Sequence, residues 1–505
     1  MRSLKLIFIA LLGFACAAHA QVEPTNSVRS MTLQDCMQLA LEHNLDIQIE
    51  RINPQLSLYD LEIAYAGWDP LFSASGTHNF SLSAGGLDSD KRAIPPSKSD
   101  ANALSTSLNG VTPIGTTYSL QGRVTDTYGG SSGFVGTNLV FRPFENSSSS
   151  ASFTLQQPLL KNFWIDSTRL NILVAKNRIK FSDLGLRLRV MSVVTSVENS
   201  YYELIFAREN VKVQEKAQQL AEQLLRENKK RVEVGALAPL DEKQAESQLA
   251  ARQADLLNAM QTLSAQQNAL KSLLTDNFAS WHGIEIVPAE KLVAVPEKFD
   301  LMESWRLGTT QRPELLEAKL DLERAGIQLK YYKNQLFPQL DVFGSYGHTG
   351  SDREFSGALG GLEEGNRPFY SYGAVVSIPL SNRSARYRYK EGKATVEQLL
   401  LHTKKTEQDI LVEIENALAD AQNGLERVTA TRQASAYAEA ALEAEQKKLE
   451  NGKSTSFIVL QLQRDLTSAR SAEIRALADY NKALAQIALK QGSTLERSHI
   501  TVNGK

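Results

Sequence analysis

The 505-residue chain is poor in the features that mark several protein classes. Two cysteines exclude a disulfide scaffold. One of them, Cys16, falls in the apolar N-terminal run, so Cys36 has no intrachain partner once that run is removed. Lys+Arg 55 against Asp+Glu 57 leaves a formal charge of -2, without the basic excess that marks a nucleic-acid binder. After Ala20 no apolar run reaches the ~18 residues of a membrane helix. If such a chain crosses a bilayer, it must do so as a closed barrel, the other structure that satisfies every backbone polar group in lipid. Proline is scarce and unevenly spread. It is missing between Pro158 and Pro239 and again after Pro379. In the first of these windows Gly185 is the lone glycine before Gly235. What remains is 42% hydrophobic and 22% charged, the balance of a folded chain rather than a disordered one.

The N-terminus is that of an exported protein. Arg2 and Lys5 precede an apolar run from Leu6 to Ala18, and Ala18-His19-Ala20 is an A-x-A cleavage pattern. Residues 1–20 therefore read as a signal peptide, with the mature chain starting at Gln21. Phe14 and Gly13 before Cys16 fit a lipoprotein signal poorly.

The sequence is written twice. With Pro70 over Pro338, Asn44-Leu45-Asp46 falls on Arg312-Pro313-Glu314 and Gly76 on Gly344. Further on, with Gly235 over Gly452, Val197-Glu198-Asn199 falls on Ile414-Glu415-Asn416. Each copy has the order helix, strand, connection, strand, very long helix, turn, helix. The expected divisions are 21–277 and 302–491 as the two repeats. A connector at 278–301 joins them, and a tail covers 492–505.

The proline-free windows permit exceptionally long helices. Residues 165–233 and 384–450 would each span roughly 100 Å at ~1.5 Å per residue. Both carry heptad tracks. Val190, Val197, Leu204, Val211, Gln218, Leu225 and Val232 recur in the first, and Ile414, Ala421, Val428, Ser435, Leu442 and Leu449 in the second. A second seam, Ile410, Ala417, Gly424, Thr431 and Ala438, uses small residues that let helices approach closely. Each long helix runs into a glycine suited to a left-handed helix end. Asp241, and Ser454 or Thr455, then stand where a cap can start a returning helix over 241–277 and 455–490. These return helices are half as long as their partners. Helices over 32–66 and 313–336 have the length to cover the remainder.

The strands alternate. From Phe72 to Ser83 one face carries Phe72, Ala74, Gly76, His78, Phe80 and Leu82, and the other is polar throughout. That is the pattern of a barrel strand with lipid outside and water inside. The repeat-mate has Leu340, Val342, Gly344 and Tyr346 on the matching face, and return strands fall at 152–158 and 370–380. Four strands cannot close a barrel, so copies of the chain must contribute to one ring. Two further alternating runs, 102–109 and 116–128, fit either extra barrel strands or an extracellular hairpin above the rim. The fold class is thus mainly α with membrane β-barrel strands. It is internally duplicated, with long coiled-coil hairpins and four strands per chain, or six if the extra runs join.

An exported chain with this duplication resembles the TolC-like outer membrane efflux protein family. The resemblance covers nearly all of 30–492, through "TLQDCMQLALEHN" at 32–44, "QQPLL" at 156–160, "VEVGALAPLDEKQAE" at 232–246 and "NGKSTSFIVLQLQRDLTSAR" at 451–470. It implies a homotrimer whose strands form a 12-stranded barrel in outer membrane lipid and whose helices form a tunnel through the periplasm. It also implies a periplasmic adaptor and an inner-membrane pump as partners in efflux or type I secretion. By position, Asp241 matches an acidic tip residue of the family's first hairpin. Where the family's namesake has two Asp residues in the second hairpin, this chain has Ile458 and Gln461, with Asp465 one turn on. An apolar and neutral constriction is expected there rather than an acidic ring. Val234, Gly235, Ala236, Leu237, Asn451, Gly452, Lys453 and Ser454 match the adaptor-docking turns.

Chemistry is hard to find. His43, His78, His282, His348, His402 and His499 form no metal-ligand pair, and no G-x-S-x-G or Cys/His nucleophile arrangement occurs. Gly357–Gly361 lacks phosphate-loop spacing and reads as loop. No enzyme, metal or cofactor is called for. The rival reading, a periplasmic adaptor, would have one helical hairpin rather than two, and a coiled-coil surface protein would not need polar-faced strands.

Overall fold

The structure, a computed structural model, describes residues 27–235 and 237–501. The expected signal peptide and Cys16 lie outside the described residues. The first repeat opens with β1 (Ser27–Met31), α1 (Leu33–His43) and α2 (Leu45–Tyr65). Strands β2 (Leu71–Ser83), β3 (Gly86–Leu87), β4 (Ala93–Ile94), β5 (Ser97–Val111), β6 (Thr117–Val135) and β7 (Asn138–Pro158) follow. The helical hairpin is α3 (Ser167–Glu233) and α4 (Pro239–Leu274). After β8 (Ile284–Pro288), the second repeat has α5 (Leu301–Gln311), α6 (Pro313–Asn334), β9 (Gln339–Asp352), α7 (Phe355–Glu363) and β10 (Pro368–Ser377). Its hairpin is α8 (Arg383–Glu450) and α9 (Ser456–Gln491), followed by the short α10 (Thr494–Arg497).

The chain divides into two compact units. The first takes residues up to Ile47, Ser192–Phe299 and Ala417–Leu489, and the second takes Gln48–Met191, Asp300–Asn416 and the residues from Lys490 on. The division falls inside α3 and inside α8.

In the first unit the core is the helical seam. Val197, Tyr201, Leu204, Leu270, Leu274 and Tyr480 are all buried. The Tyr201 hydroxyl donates to the Met31 carbonyl at 3.0 Å, and burial pushes its pKa well above the ordinary tyrosine range. The second-repeat track is buried throughout, from Ile414 to Leu449. The first-repeat track is buried only as far as Val211. Below it the seam passes to Ala217, Ala221, Leu224 and Asn228, one residue before the expected Gln218 and Leu225. A straight helix drifts ~20° per heptad and would carry the seam toward later residues, so this step to earlier ones marks a local break in the heptad phase. Strands β1 and β8 pair in parallel, a two-stranded element that the connector reading did not foresee. Cys36 is free and buried, and burial raises its thiol to about 12.

The expected helix over 32–66 is two helices. Asn44 ends α1, and its side-chain oxygen accepts from the amides of Asp46 and Ile47, which starts α2 afresh. The Gly357–Gly361 stretch, read as loop, is helical α7, packed on β7 and β9. Gly350 permits that packing, because a Cβ there would stand 2.1 Å from the Ala358 carbonyl oxygen. Asp241 does not cap α4. Ala238 occupies the cap position and Pro239 starts the helix, a place where the missing N–H costs nothing.

The second unit holds the sheet, ordered β10-β9-β7-β6-β5-β2. The runs left open by the sequence are therefore strands of the sheet. Each pair is antiparallel and continuous. One row crosses all six strands through Phe72, Leu108, Leu120, Phe153, Tyr346 and Tyr370. The next row is Ser73, Ser107, Gln121, Ser152, Gly347 and Phe369. The pleat thus backs an apolar row on one face with a mostly polar row on the other over this part of the sheet, while further along the first face His78, Asn102, Asp126 and Ser147 form a polar row. In the same unit the first part of α3 is covered by α2 and α6, through Arg178–Asp60 at 3.6 Å and the Asn177 amide donating to the Leu320 carbonyl at 3.1 Å.

Candidate functional site

The two helical turns of the first unit are built alike. After α3, Gly235 takes φ +75°, and its amide donates to the Val232 carbonyl at 3.0 Å. After α8, Gly452 takes φ +68°. Its amide reaches the Leu449 carbonyl and that of Lys453 the Lys448 carbonyl, at 3.1 and 2.8 Å. This pair of bonds closes a helix end on a left-handed residue, which glycine adopts without a Cβ clash. Val234 is 78% exposed and Leu237 half-buried, and Asn451, Gly452 and Lys453 are exposed. Ala236 lies outside the described residues. Ser454 is half-buried and its hydroxyl donates to the Glu445 carboxylate. Glu445 is held below the usual carboxylate range by Lys448 and then by Ser454.

The starts of the return helices are pinned by one buried side chain. Asn228 is 1% exposed, and its side-chain oxygen accepts from the Ser456 hydroxyl at 3.0 Å. Its amide nitrogen donates to the Asp241 carbonyl at 3.5 Å. Arg231 donates to the Leu449 carbonyl at 3.3 Å, a second bond to the acceptor that already receives the Gly452 amide at the end of α8. Beneath them Leu224, Leu442, Leu449, Val459, Leu460 and Leu466 form a closed apolar cluster. A cavity of about 150 Å³ opens beside it, lined by Glu227, Arg231 and Gln463 among others. Sequence reading missed Asn228, because it sits on the displaced seam. The available signal was a polar residue following Ala217, Ala221 and Leu224 at helical spacing.

Of the gate candidates, Ile458, Gln461 and Asp465 are all exposed, with Ile458 at 41%. Their spacing puts them on one face of α9, one above the other. The opposite face, with Val459, Leu460, Gln463 and Leu466, is buried. Ile458 is therefore not part of the hairpin core. Asp241 stands apart from that stripe, in the first turn of α4 and half-buried. With Glu242 beside it, its negative charge complements the helix N-terminus. Lys229 lies 3.7 Å from Glu242 and 3.6 Å from Glu246, and Lys243 is 2.8 Å from Glu246. Lys243 draws the Glu246 carboxyl down. The face carrying Ile458 and Gln461 thus offers an apolar and a neutral side chain, with one carboxylate a turn beyond.

Among the described residues no helix is long and apolar enough to cross a membrane, and no cluster of three or more His, Cys, Asp or Glu could hold a metal.

A family model described as outer membrane efflux protein matches residues 36–275 and 309–493. The chain is similar to the pyoverdine export outer membrane protein OpmQ of Pseudomonas aeruginosa, with 24% identity over 310 residues. That stretch is 60% of this chain and spans 61% of the relative's length. Among solved structures, the CmeC outer membrane channel of Campylobacter jejuni aligns over 92% of this chain and 86% of its own. Its TM-score is 0.66 at 15% identity. The VceC outer membrane protein of Vibrio cholerae aligns over 91% and 96%, with TM-score 0.66 and 16% identity. These likenesses establish the fold.

Proposed function

Because the chain belongs to the outer membrane efflux protein family, we propose that it is the outer membrane channel of a tripartite efflux or type I secretion system, a passive conduit from periplasm to exterior. The observation that carries the reading is the two-faced sheet. An apolar row runs unbroken across six strands and backs onto a mostly polar one. A surface of that kind belongs between lipid and water, and an adaptor has no use for it. The chain resides in the outer membrane. In this reading it acts as a homotrimer, because one copy's sheet is too short to close around a channel. Its partners are a periplasmic adaptor and an inner-membrane pump. No group for bond-making chemistry is needed, since the pump supplies the energy and the cargo choice.

We assign the constriction to the exposed stripe Ile458, Gln461 and Asp465, with Asp241 at the neighbouring turn. Adaptor docking falls to the turns at 234–237 and 451–454. The test is single-channel conductance of the detergent-extracted trimer in a planar bilayer. Wild type is expected to give small openings with weak cation preference, and Ile458→Asp with Gln461→Asp to become clearly cation-selective. Unchanged selectivity removes these residues from the constriction. Failure to insert or to trimerise defeats the channel reading and favours the adaptor.

A further inference from the structure

The hairpin β5–β6 has no place in a barrel built from four strands per copy. We propose that it is part of the membrane wall, so that three copies close an eighteen-stranded barrel in which β2 of one copy pairs with β10 of the next. The inference rests on the trimeric channel reading and extends it to the size of the pore.

Four observations carry it. First, β5 and β6 lie between β2 and β7, not above them. Leu71, Asn109, Ser119, Thr154, Ser345 and Ser371 form one row through all six strands. A hairpin standing above the rim would leave β2 beside β7, and no such pairing exists in the sheet. Second, the alternation of the inserted strands is in phase with the rest. Leu108 and Leu120 stand in the row of Phe72, Phe153 and Tyr346, and Ser107 and Gln121 in the row of Ser73 and Ser152. A slip of one residue would reverse the faces, so this phase is a specific feature of the sequence.

Third, the polar face is tied across the insertion. The Ser73 and Ser107 hydroxyls are 2.7 Å apart, and the Ser119 hydroxyl donates to Asn109 Oδ1 at 2.6 Å. The Thr154 hydroxyl donates to that of Ser345 at 3.0 Å. The β5–β6 connection is a tight turn, with the Thr112 amide donating to the Thr116 carbonyl at 2.8 Å. It lies at the end of the sheet where β2 begins, where barrels keep their connections short.

Fourth, the sheet has two unpaired edges, β2 and β10, of 13 and 10 residues. Each edge presents a row of backbone donors and acceptors. In lipid each unsatisfied group costs several kcal/mol, so both edges must be paired. Strand directions alternate from β2 to β10. A β2 laid beside a β10 is therefore antiparallel as well. A second copy of this chain is the partner that continues the pattern at both edges.

The consequence is a wider bore. With strands ~4.8 Å apart and tilted ~40°, eighteen strands give a backbone radius of roughly 18 Å, against roughly 12 Å for twelve. That lies in the range of strand numbers that leave an aqueous channel open. The barrel then limits passage less than the helical turns do, and it admits cargo that a twelve-stranded wall would hold back.

The test uses cysteine pairs in the full-length protein, oxidised in the outer membrane and read on SDS gels without heating. Ser73→Cys with Ser107→Cys, and Gln121→Cys with Ser152→Cys, are expected to link within one chain. Ser73→Cys with Ser152→Cys is expected not to link, because three strand spacings, ~14 Å, separate them. Ser371→Cys combined in turn with Ser73→Cys, Ser75→Cys, Thr77→Cys or Asn79→Cys is expected to give covalent trimers at one register. Linkage of 73 with 152 in an intact trimer overturns the wide barrel and restores twelve strands. An intact trimer with no covalent link between chains at any register overturns the β2–β10 closure. Loss of the trimer in the wild-type protein overturns the channel reading itself, and that outcome is separable because the 73–107 link is internal to one chain.

Discussion

The two repeats have kept their helices alike and let their strands diverge. The long helices have 67 and 68 residues, and the return helices 36 each. Between the first helices and the long helix, the first repeat has four long strands, β2, β5, β6 and β7, where the second has two, β9 and β10, joined by α7. The difference follows from the two kinds of packing. A coiled-coil seam is shared along its whole length, so lengthening one helix would leave apolar surface without a partner. An antiparallel sheet can accept a hairpin anywhere between two strands. The insertion adds two strands, preserves the alternation of direction and leaves the edges as they were.

That account breaks most visibly if the inserted hairpin is not equivalent to the strands around it. Leu120 in β6 and Tyr346 in β9 lie in one apolar row, Leu120 from the insertion and Tyr346 from the second repeat. Lysine at either position, on the apolar row, should destabilise the barrel, by up to ~2–4 kcal/mol, and the two costs should be of similar size. Lysine at Gln121, one residue away on the polar face, should leave the trimer intact and alter ion selectivity. Unheated SDS gels across a urea series measure the first pair, and bilayer recordings measure the second. A harmless Leu120→Lys beside a destructive Tyr346→Lys would place the insertion outside the wall.

Much of this was legible in the sequence because the signals are local. Proline-free windows and heptads gave the long helices to within two residues, and strict alternation gave the strands. The turns at Gly235 and Gly452 were readable because a left-handed helix end needs glycine. The misses are non-local or depend on small displacements. The β1–β8 pairing joins segments some 250 residues apart. Asn44 breaks a helix by capping the next one, and its amide also donates to the Leu273 carbonyl at 3.0 Å. Asn228 became visible only once the seam had shifted by one residue. The stripe of Ile458, Gln461 and Asp465 could be placed on one face from spacing alone, but its exposure could not.

The repeats also differ at their turns. Under the alignment that places Gly235 on Gly452, Asn228 corresponds to Glu445. Asn228 holds the buried Ser456, whereas Glu445 is paired with Lys448 and Ser454 nearer the solvent. Asn228→Ala leaves the Ser456 hydroxyl buried without its acceptor, at a cost of about 1–3 kcal/mol. Glu445→Ala should cost less, and its effect should shrink further in high salt, as an ion pair near water is screened. Urea midpoints at low and high salt separate the two. Equal, salt-independent losses would mean that the turns are pinned in the same way.

The finest contrast is in acidity. Glu317 on α6 corresponds to Ile49 on α2 under the alignment of Pro70 with Pro338. Burial, and then the carboxylates of Glu314, Asp321 and Glu50, raise the Glu317 carboxyl to about 7. Gly185 on α3 lies against this group, its side-chain position 3.4 Å from Glu50 and 3.8 Å from Glu317. The folded state therefore holds a proton that the unfolded chain gives up near the ordinary glutamate value of 4.5. Its stabilising effect is complete below pH ~4.5 and is lost as the pH rises toward ~7. Glu445 behaves in the opposite sense. Its carboxyl is depressed, so its contribution is present above the ordinary glutamate value and is lost in acid. Amide protection in α6 and the facing part of α3 should then fall between pH 5 and pH 8, beyond the change in intrinsic exchange rates. Glu317→Gln should flatten that dependence and leave the acid limb set by Glu445 in place. If the variant keeps the same loss of protection between pH 5 and 8, the titrating group in that helical packing is not Glu317, and the asymmetry between Glu317 and Ile49 has no energetic consequence there.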